Sequence, residues 1–548
     1  MTQIEDILIK NIEVISSAMP EIKSLRGRSK INAGSLYGIN RIRRLILDLA
    51  LKGKLVEQKE LNFHPNYAEG DTGRSINNLP GSWNYGRLGD IANLITKGTT
   101  PTSMGHAYQS TGIRFVKVEN ISEGYINLLS INQYISEEVD AALSRSRLKA
   151  NDLLFSIAGT IGRACIVRDS DLPANTNQAL AIIRGTDKVF FPPFLLRQLN
   201  SFVADQIVNR ARGGAMNNVS LSDLSDAMLV IPPYEEQLRI SKKIDDLMAL
   251  CDILEAKSIS SFDLHEFIVS EVLSNLRQQK SYIDFERCWD LISSNFHTLF
   301  TTVNSVSRLR GTLLNLAVSG KLAPQNKTED PAEDLFTKIQ GLKSDVLSKG
   351  KKVKNQAQAL HLNRSELPDG WIACKFGDLV INRDSERIPV SAEARQTMSG
   401  AYDYYGASGV IDKVNDFLFD EPLLLIGEDG ANLINRSTPI AFIAHGKYWV
   451  NNHAHVLGGI NVDFLRYLEL YINSIDLRPY ITGTAQPKMN QAKMNSIEVW
   501  IPPAAEQLRI LTKLKELLDF CDQLEQKINQ LNVIKRKIAD VLVEQALA

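Results

Sequence analysis

Three short strings occur twice along the 548-residue chain, in the same order each time. LDLALKGKLVEQ from Leu47 returns as LNLAVSGKLAPQ from Leu314, LPGSW from Leu79 as LPDGW from Leu367, and IPPYEEQLRI from Ile231 as IPPAAEQLRI from Ile501. Repetition on this scale constrains a fold more than local propensity does, because it demands two copies of one architecture. Each copy reads as a constant shell around a variable middle, 79–232 in the first and 367–502 in the second. The middles share only a skeleton: strand-like apolar runs, NDLLFSIAGTIG and EPLLLIGEDGAN, then Asn-rich steps, ANTNQA and VNNHAH. A Gly-rich loop closes each, ARGGAMNNVS from Ala211 and ITGTAQPKMN from Ile481. A scaffold held constant while its inserts diverge suits one kind of job done on two different targets.

The shells are helical. Proline starts a helix well because its fixed φ and missing N–H cost nothing in the first turn. Beyond the second Pro-Pro, apolar residues fall at Ile510, Leu514, Leu517, Cys521 and Leu524, alternating four and three apart in a heptad seam. The first copy keeps the seam at Ile240, Ile244, Leu247, Cys251 and Leu254, then loses it at Ser258 and Ser261. One such helix cannot bury its own seam, so the two copies are expected to pair as a long antiparallel coiled coil. At about 1.5 Å per residue, a helix of about 40 residues spans roughly 60 Å, which makes it a spacer. Between the halves, the polar, lysine-rich stretch 324–366 predicts a mobile helix and linker outside the core.

Ile231-Pro232-Pro233-Tyr234 resembles the base-holding pocket of amino-group DNA methyltransferases, but the second copy has Ala504 where the tyrosine stands. The stretch is therefore read as punctuation between the last strand and the spacer helix. With 44% hydrophobic and 23% charged residues, the composition is that of an ordinary globular protein of three or four domain-sized units. Neither a membrane span nor a secretory signal is indicated, so a cytoplasmic location is expected. Cys165, Cys251, Cys288, Cys374 and Cys521 form no C-x-x-C pair, which argues against a disulfide framework or zinc knuckle. Gly53-Lys54 and Gly320-Lys321 are each followed by leucine and cannot complete a magnesium-binding phosphate loop. His445, His453 and His455 lack zinc-site spacing, and Glu428 to Gly430 reads as an acidic turn. No S-adenosylmethionine fingerprint is present.

Two variable domains, each opened by Leu-Pro-x-(x)-Trp and closed by a Gly-rich loop, Ile-Pro-Pro and a Glu-Gln-x-x-Ile helix, resemble the specificity subunit of a type I restriction-modification enzyme. LALKGKL, LAVSGKL and EDPAEDLF are similar to that family's connecting segments. The resemblance implies an α+β fold: two similar mixed α/β target recognition domains separated by long antiparallel coiled-coil helices, with a pseudo-twofold internal repeat. The expected order is an N-terminal helical region (1–55), a linker (56–78), recognition domain 1 (79–232), central helices (233–323), a polar linker (324–366), recognition domain 2 (367–502) and a C-terminal spacer helix (503–548). It implies a non-catalytic chain that reads a bipartite double-stranded DNA target, docks two methyltransferase subunits through its spacer helices, and works with restriction/translocase subunits. No cofactor is expected on this chain: S-adenosylmethionine belongs to the methyltransferase, and ATP and Mg to the nuclease/translocase. The alternatives are a fused DNA-modifying or DNA-cutting enzyme and a coiled-coil scaffold without DNA.

Base reading needs bidentate or amphiprotic side chains near base edges and small residues near phosphate. The candidates in domain 1 are Lys97, Thr99, Thr100, Arg114, Lys117, Asn120, Arg163, Asn177, Gln178, Arg212, Gly213, Gly214, Asn217 and Asn218. In domain 2 they are Tyr404, Tyr405, Arg436, Asn451, Asn452, His453, Thr484, Gln486 and Lys488. Lysine plus arginine against aspartate plus glutamate is 14 to 13 in domain 1 and 11 to 16 in domain 2, in a chain of net charge -1. Phosphate neutralisation supplies most non-specific affinity, so weak DNA binding by the chain alone is expected.

Overall fold

The computed structural model describes residues 12, 14, 36–57, 79–122, 124–211, 219–279, 282–348, 367–483 and 486–547. The chain divides into two compact units, 1–260 with 532–548 and 261–531. Most of the region 1–35, the linker 56–78 from residue 58 and the linker 324–366 from residue 349 therefore lie outside the described residues.

The repeat in sequence is a repeat in topology. Unit 1 carries β1 (Asn84–Arg87), β2 (Leu94–Lys97), β3 (Ile113–Val116), the small hairpin β4 (Ile121–Ser122) and β5 (Tyr125–Ile126), β6 (Tyr134–Ile135), β7 (Leu153–Ser156), β8 (Ala164–Ile166), β9 (Ala174–Thr176), β10 (Leu180–Arg184) and β11 (Met228–Ile231). Unit 2 carries β12 (Ile372–Lys375), β13 (Ile381–Asn382), β14 (Ser399–Gly406), β15 (Gly409–Val414), β16 (Leu423–Gly427), β17 (Ala441–Ala444), β18 (Tyr448–Val450), β19 (Ala454–Gly458) and β20 (Glu498–Ile501). A four-stranded sheet ordered β2-β10-β7-β8 in the first has its counterpart β13-β19-β16-β17 in the second. The three-stranded sheets β6-β3-β9 and β15-β14-β18 each contain one parallel pair, β3 with β9 and β14 with β18. The opening strand pairs the closing one in both, Asn84 opposite Ile231 and Ile372 opposite Ile501. β7 and β16 are the two apolar runs read from sequence, and all their residues are buried because both faces of the sheet are covered.

Each Ile-Pro-Pro ends a strand and precedes a long helix, α2 (Tyr234–Gln278) or α5 (Ala504–Leu547). Tyr234 is half-exposed and meets Phe191 edge to face at 6.4 Å. Three shorter helices complete the frame: α1 (Tyr37–Leu51), α3 (Val303–Val318) and α4 (Ala332–Ser348). Within each unit the two long helices pair as expected, the head of one against the tail of the other, and a short helix joins them. In unit 1, Ile240, Ile244 and Cys251 of α2 share one core with Ile39, Ile42 and Ile46 of α1 and Ala539 of α5, with Leu247 and Leu254 half-buried at its border. In unit 2, Ile510, Leu514 and Cys521 of α5 share a core with Leu309, Leu313 and Leu316 of α3 and Val269, Leu273 and Leu276 of α2, with Leu517 and Leu524 at the border. Each cluster thus holds three helices: the head of one long helix, the tail of the other and a short one. The first seam does not end at Ser258 and Ser261, since α2 continues and its apolar spacing resumes at Val269.

The polar linker also needs correction, for α4 is docked: Ala332, Phe336 and Ile339 are buried, and Lys343 donates to the Gly377 carbonyl at 2.5 Å. Its three to four residue spacing supplies an apolar stripe that the surrounding lysines hide in composition.

The repeated strings touch one another. Gly53 and Gly320 have φ of +68° and +70°, and a Cβ there would lie 2.4 and 2.5 Å from Pro80 and Pro368 of the Leu-Pro-x-(x)-Trp strings. The next residue, Lys54 or Lys321, donates to a carbonyl in the last turn of a long helix, Leu547 of α5 at 3.1 Å and Arg277 of α2 at 2.8 Å. Carbonyls there lack intrahelical partners, and a cation suits the negative helix end. Gln507 of the Glu-Gln string returns to the Pro502 carbonyl at 2.9 Å, as Gln237 does to Pro232. Glu506 is buried near Trp371, and burial pushes its carboxyl up to about 7, against the smaller effects of the neighbouring Trp371 indole and the Arg509 charge.

Two alanine substitutions on the same helix-turn segment should move stability in opposite directions. Gly320→Ala, left-handed and pressed on Pro368, is expected to destabilise unit 2 by more than about 1 kcal/mol. Gly311→Ala, inside α3 with nothing within 4 Å of the new methyl, should stabilise it by roughly 0.5–1 kcal/mol. Urea unfolding midpoints read both, and shifts of equal sign would contradict the described packing.

Candidate nucleic-acid interface

In each domain one end of the central strand of the four-stranded sheet gathers loops from distant parts of the chain. At the end of β7, Ile157 N–H donates to the Ala179 carbonyl and Ile157 carbonyl accepts from Val219 N–H at 2.8 Å. That brings together the turn after β7, the Asn177–Gln178 loop before β10 and the return from the Gly-rich segment. Lys97 at the exposed end of β2 pairs with Ala181 across the sheet, and the Thr100 hydroxyl is hydrogen-bonded to the Gln178 carboxamide. The same end of domain 2 is formed by Glu428–Gly430 after β16, the Asn451–His453 loop and the hairpin 482–488. Its closing bond, Met489 N–H to the Glu428 carbonyl at 2.8 Å, repeats the Val219 bond of domain 1.

Candidates gathered at these ends are Lys97, Thr99, Thr100, Asn177, Gln178 and Arg163 in domain 1, and Asn452, His453, Gln486 and Lys488 in domain 2. Arg163 is exposed, with its backbone N–H fixed by Ser156 Oγ at 2.8 Å. The Asn177 side chain accepts from Ala179 N–H at 3.1 Å and shapes the turn. Arg212, Gly213, Gly214, Asn217, Asn218 and Thr484 lie outside the described residues.

Several other candidates are structural. Asn120 is buried, and its amide bridges the Ser130 carbonyl at 2.8 Å and Lys117 N–H at 2.8 Å. Lys117, one residue beyond the Val116–Thr176 pair, lies 5.1 Å over the Tyr108 ring, and Arg114 donates to the Leu172 carbonyl at 3.1 Å. Tyr404 is fully buried, its hydroxyl accepting from Val390 N–H at 3.0 Å. Tyr405 stacks on Phe442 at 5.7 Å, and burial raises its phenol above the usual tyrosine value. Arg436 donates to the Asn473 carbonyl at 3.0 Å and to Ile475, closing the end of the helix Val462–Ser474. Asn451 is buried with its oxygen on His453 N–H at 2.8 Å. Asn120, Tyr404 and Asn451 spend the polar groups that made them candidates inside the protein, as buried polar groups must.

The sequence reading also missed a group beneath the domain 2 loops. His455 is buried, with Nδ1 2.7 Å from Asp384 and Nε2 3.1 Å from the Met489 carbonyl. Arg387 donates to Glu428 at 3.1 Å and the Ala454 carbonyl at 2.7 Å, and Lys488 stands 3.3 Å from Glu428. At the exposed rim, His453 Nδ1 sits 2.8 Å from Asp429. The sequence signal was the alternation in Ala454-His455, which places that ring on the inner face of a strand. The histidine cluster holds no metal-ligand set: among the described residues no group of three or more His, Cys, Asp or Glu could hold an ion.

The model of the type I restriction modification DNA specificity domain matches this chain twice, at residues 80–261 and 368–533. The chain belongs to this family. Each match begins at the proline of a Leu-Pro-x-(x)-Trp string and runs through the head half of a long helix, so the family unit is a variable domain with its helix. The EcoEI and EcoAI type I restriction enzyme specificity subunits of Escherichia coli are each 24% identical to it, over 99% of this chain and 100% of theirs. A solved structure described as the structural basis underlying complex assembly and conformational transition of the type I R-M system aligns at a TM-score of 0.46 and 15% identity, covering 86% of this chain and 98% of that one. No helix among the described residues is long and apolar enough to cross a membrane.

In this specificity-domain protein the buried group makes the second domain acid-sensitive. Burial alone would raise the Asp384 carboxyl, but hydrogen bonds from His455, Asn382 and Val456 N–H outweigh it and hold the group below the usual aspartate value. A depressed folded pKa contributes stability above the unfolded value, about 3.9, that is lost as pH falls through the folded value. Asp384→Asn should therefore weaken unit 2 at neutral pH, and the gap to wild type should close below about pH 4 in urea titrations. A gap independent of pH would contradict this assignment.

Proposed function

We propose that the chain is the non-catalytic, sequence-specific recognition subunit of a type I restriction-modification complex, with each variable domain reading one half of a split double-stranded DNA target. The observation that carries this is the pair of loop ends: one scaffold gathers corresponding loop segments at the same strand end twice, with Lys97, Thr100, Gln178 and Arg163 on one and Asn452, His453, Gln486 and Lys488 on the other. These are hydrogen-bonding side chains of the kind that read base edges. The heads of α2 and α5 leave each variable domain directly from its last strand. Spacer helices of 45 and 44 residues, each roughly 65 Å long, suit reading two sites a fixed number of helical turns apart. The same helices would dock two methyltransferase subunits. S-adenosylmethionine would lie on those, and ATP and Mg on the restriction/translocase subunits, in a cytoplasmic assembly.

Mapping methylated adenines in cells that carry the partner methyltransferase, with and without this chain, tests the reading. A split motif of two short blocks around a fixed gap should depend on the chain, and replacing 79–232 with another such domain should change one block alone. Methylation unaffected by the chain, with the methyltransferase active, would overturn it. Domain 2 carries five more acidic than basic residues. The chain alone should consequently bind DNA weakly, tightening by at least about tenfold when the methyltransferase is added, because phosphate contacts supply most of the affinity.

A further inference from the structure

The two domains fix equivalent reading loops by different chemistry. In domain 1 the groups are neutral. Ser156 Oγ donates to the Thr160 carbonyl at 2.6 Å and accepts from Arg163 N–H, Thr176 donates to the Val116 carbonyl at 2.8 Å, and Leu180, opposite Ser156, is fully buried. The ion pair of Asp152 with Arg184 lies at the opposite end of β7. In domain 2 the register position opposite Ile426, the counterpart of Phe155, holds His455 where domain 1 has Ala181. That single ring reaches two segments, the turn at Asp384 and the end of the Gly-rich hairpin at Met489. Its two ring nitrogens face the Asp384 carboxylate at 2.7 Å and the Met489 carbonyl at 3.1 Å. Asp384 also accepts from Val456 N–H at 2.8 Å and lies 3.5 Å from Arg387, which passes the connection to Glu428 and, through Glu428, to Lys488. Four segments, 384–387, 428–430, 452–455 and 486–489, are tied through one buried polar cluster.

We propose that His455 is a positioning residue that sets the sequence preference of the second domain and leaves that of the first untouched. The inference rests on the recognition reading above. His455 itself is buried and reads no base; it acts through Asn452, His453, Gln486 and Lys488, whose backbones it holds from below. A small displacement of side chains that read bases in pairs relaxes the discrimination they give, since a well-placed bidentate contact is worth far more than a loose one.

The test uses the full chain with its methyltransferase and the same adenine mapping. His455→Ala installs the residue of the equivalent register in domain 1, and His455→Gln keeps a donor toward one partner and serves if the alanine variant does not fold. The expected result is a rise of about tenfold or more in methylation at sites mismatched in the second half, with the first half as selective as in wild type. Unchanged preference in both halves would overturn the proposal. An equal loss of methylation at every site would overturn it too, because a merely structural role lowers yield without favouring one half. Wild-type chain that confers no split motif would instead overturn the recognition reading itself, which separates the two failures.

Discussion

A glycine in the left-handed region, pressed against a proline and a tryptophan, sets the frame twice in this chain. At Gly320 the backbone can turn under Pro368 only because no side chain stands there, and the turn delivers Lys321 to the open carbonyls at the tail of α2. Trp371 then lies beside Glu506 at the start of α5. One joint thus connects a short helix, the first strand of the variable domain and both long helices. Domain 1 uses Gly53, Pro80, Trp83 and Lys54 in the same way. The strings recur because they are three sides of one contact, and a change in one would require changes in the others.

That joint explains the composition of the two units. Each contains its own variable domain and the head of its own long helix, but its third helical partner is the tail of the helix that begins in the other half. The ion pairs follow the repeat: Arg43 meets Asp252 at 2.7 Å and Glu255 at 2.8 Å, and Arg310 meets Asp522 at 2.6 Å and Glu525 at 3.4 Å. These pairs are half-exposed and contribute little energy individually. Their value is register, because a one-turn slip of either long helix would set the arginine opposite apolar residues. The apolar seam gives the energy and the charges select the alignment.

What was legible in the sequence was the part written as repetition or period. The two shells, both central strands, the helix starts after Ile-Pro-Pro and the long spacers follow from patterns whose physical cause is local. What was not legible depended on tertiary surroundings. A heptad seam specifies that a helix needs partners but not how many, so the pairing of the long helices was legible and the short third helix of each cluster was not. The lysines around α4 hid a stripe only three residues wide. Asn120, Tyr404 and Asn451 carry the donors that base reading needs, but burial turned those donors inward. Residue type reports hydrogen-bonding capacity; only the fold decides which side of the surface spends it.

The contrast between the two domains is where this distinction matters most. Both must hold flexible, glycine-rich loops in a defined place at the edge of a sheet, and conformational entropy opposes this at each residue by about 1–2 kcal/mol. Domain 1 meets the requirement with short neutral bonds close to the strand end. Domain 2 has more acidic residues, and several of them are drawn beneath the loops, where Arg387 and Lys488 pair with Glu428 and His455 is hydrogen-bonded to Asp384. Buried charge is costly unless paired, so such a group tolerates substitution poorly, whereas hydroxyls and amides can be exchanged for one another with small shifts. The rim above the buried group remains variable in chemistry because the pairing below it does not depend on Asn452 or Gln486. A duplicated scaffold can therefore diverge in two layers, with the exposed side chains choosing what is read and the buried ones fixing how strictly.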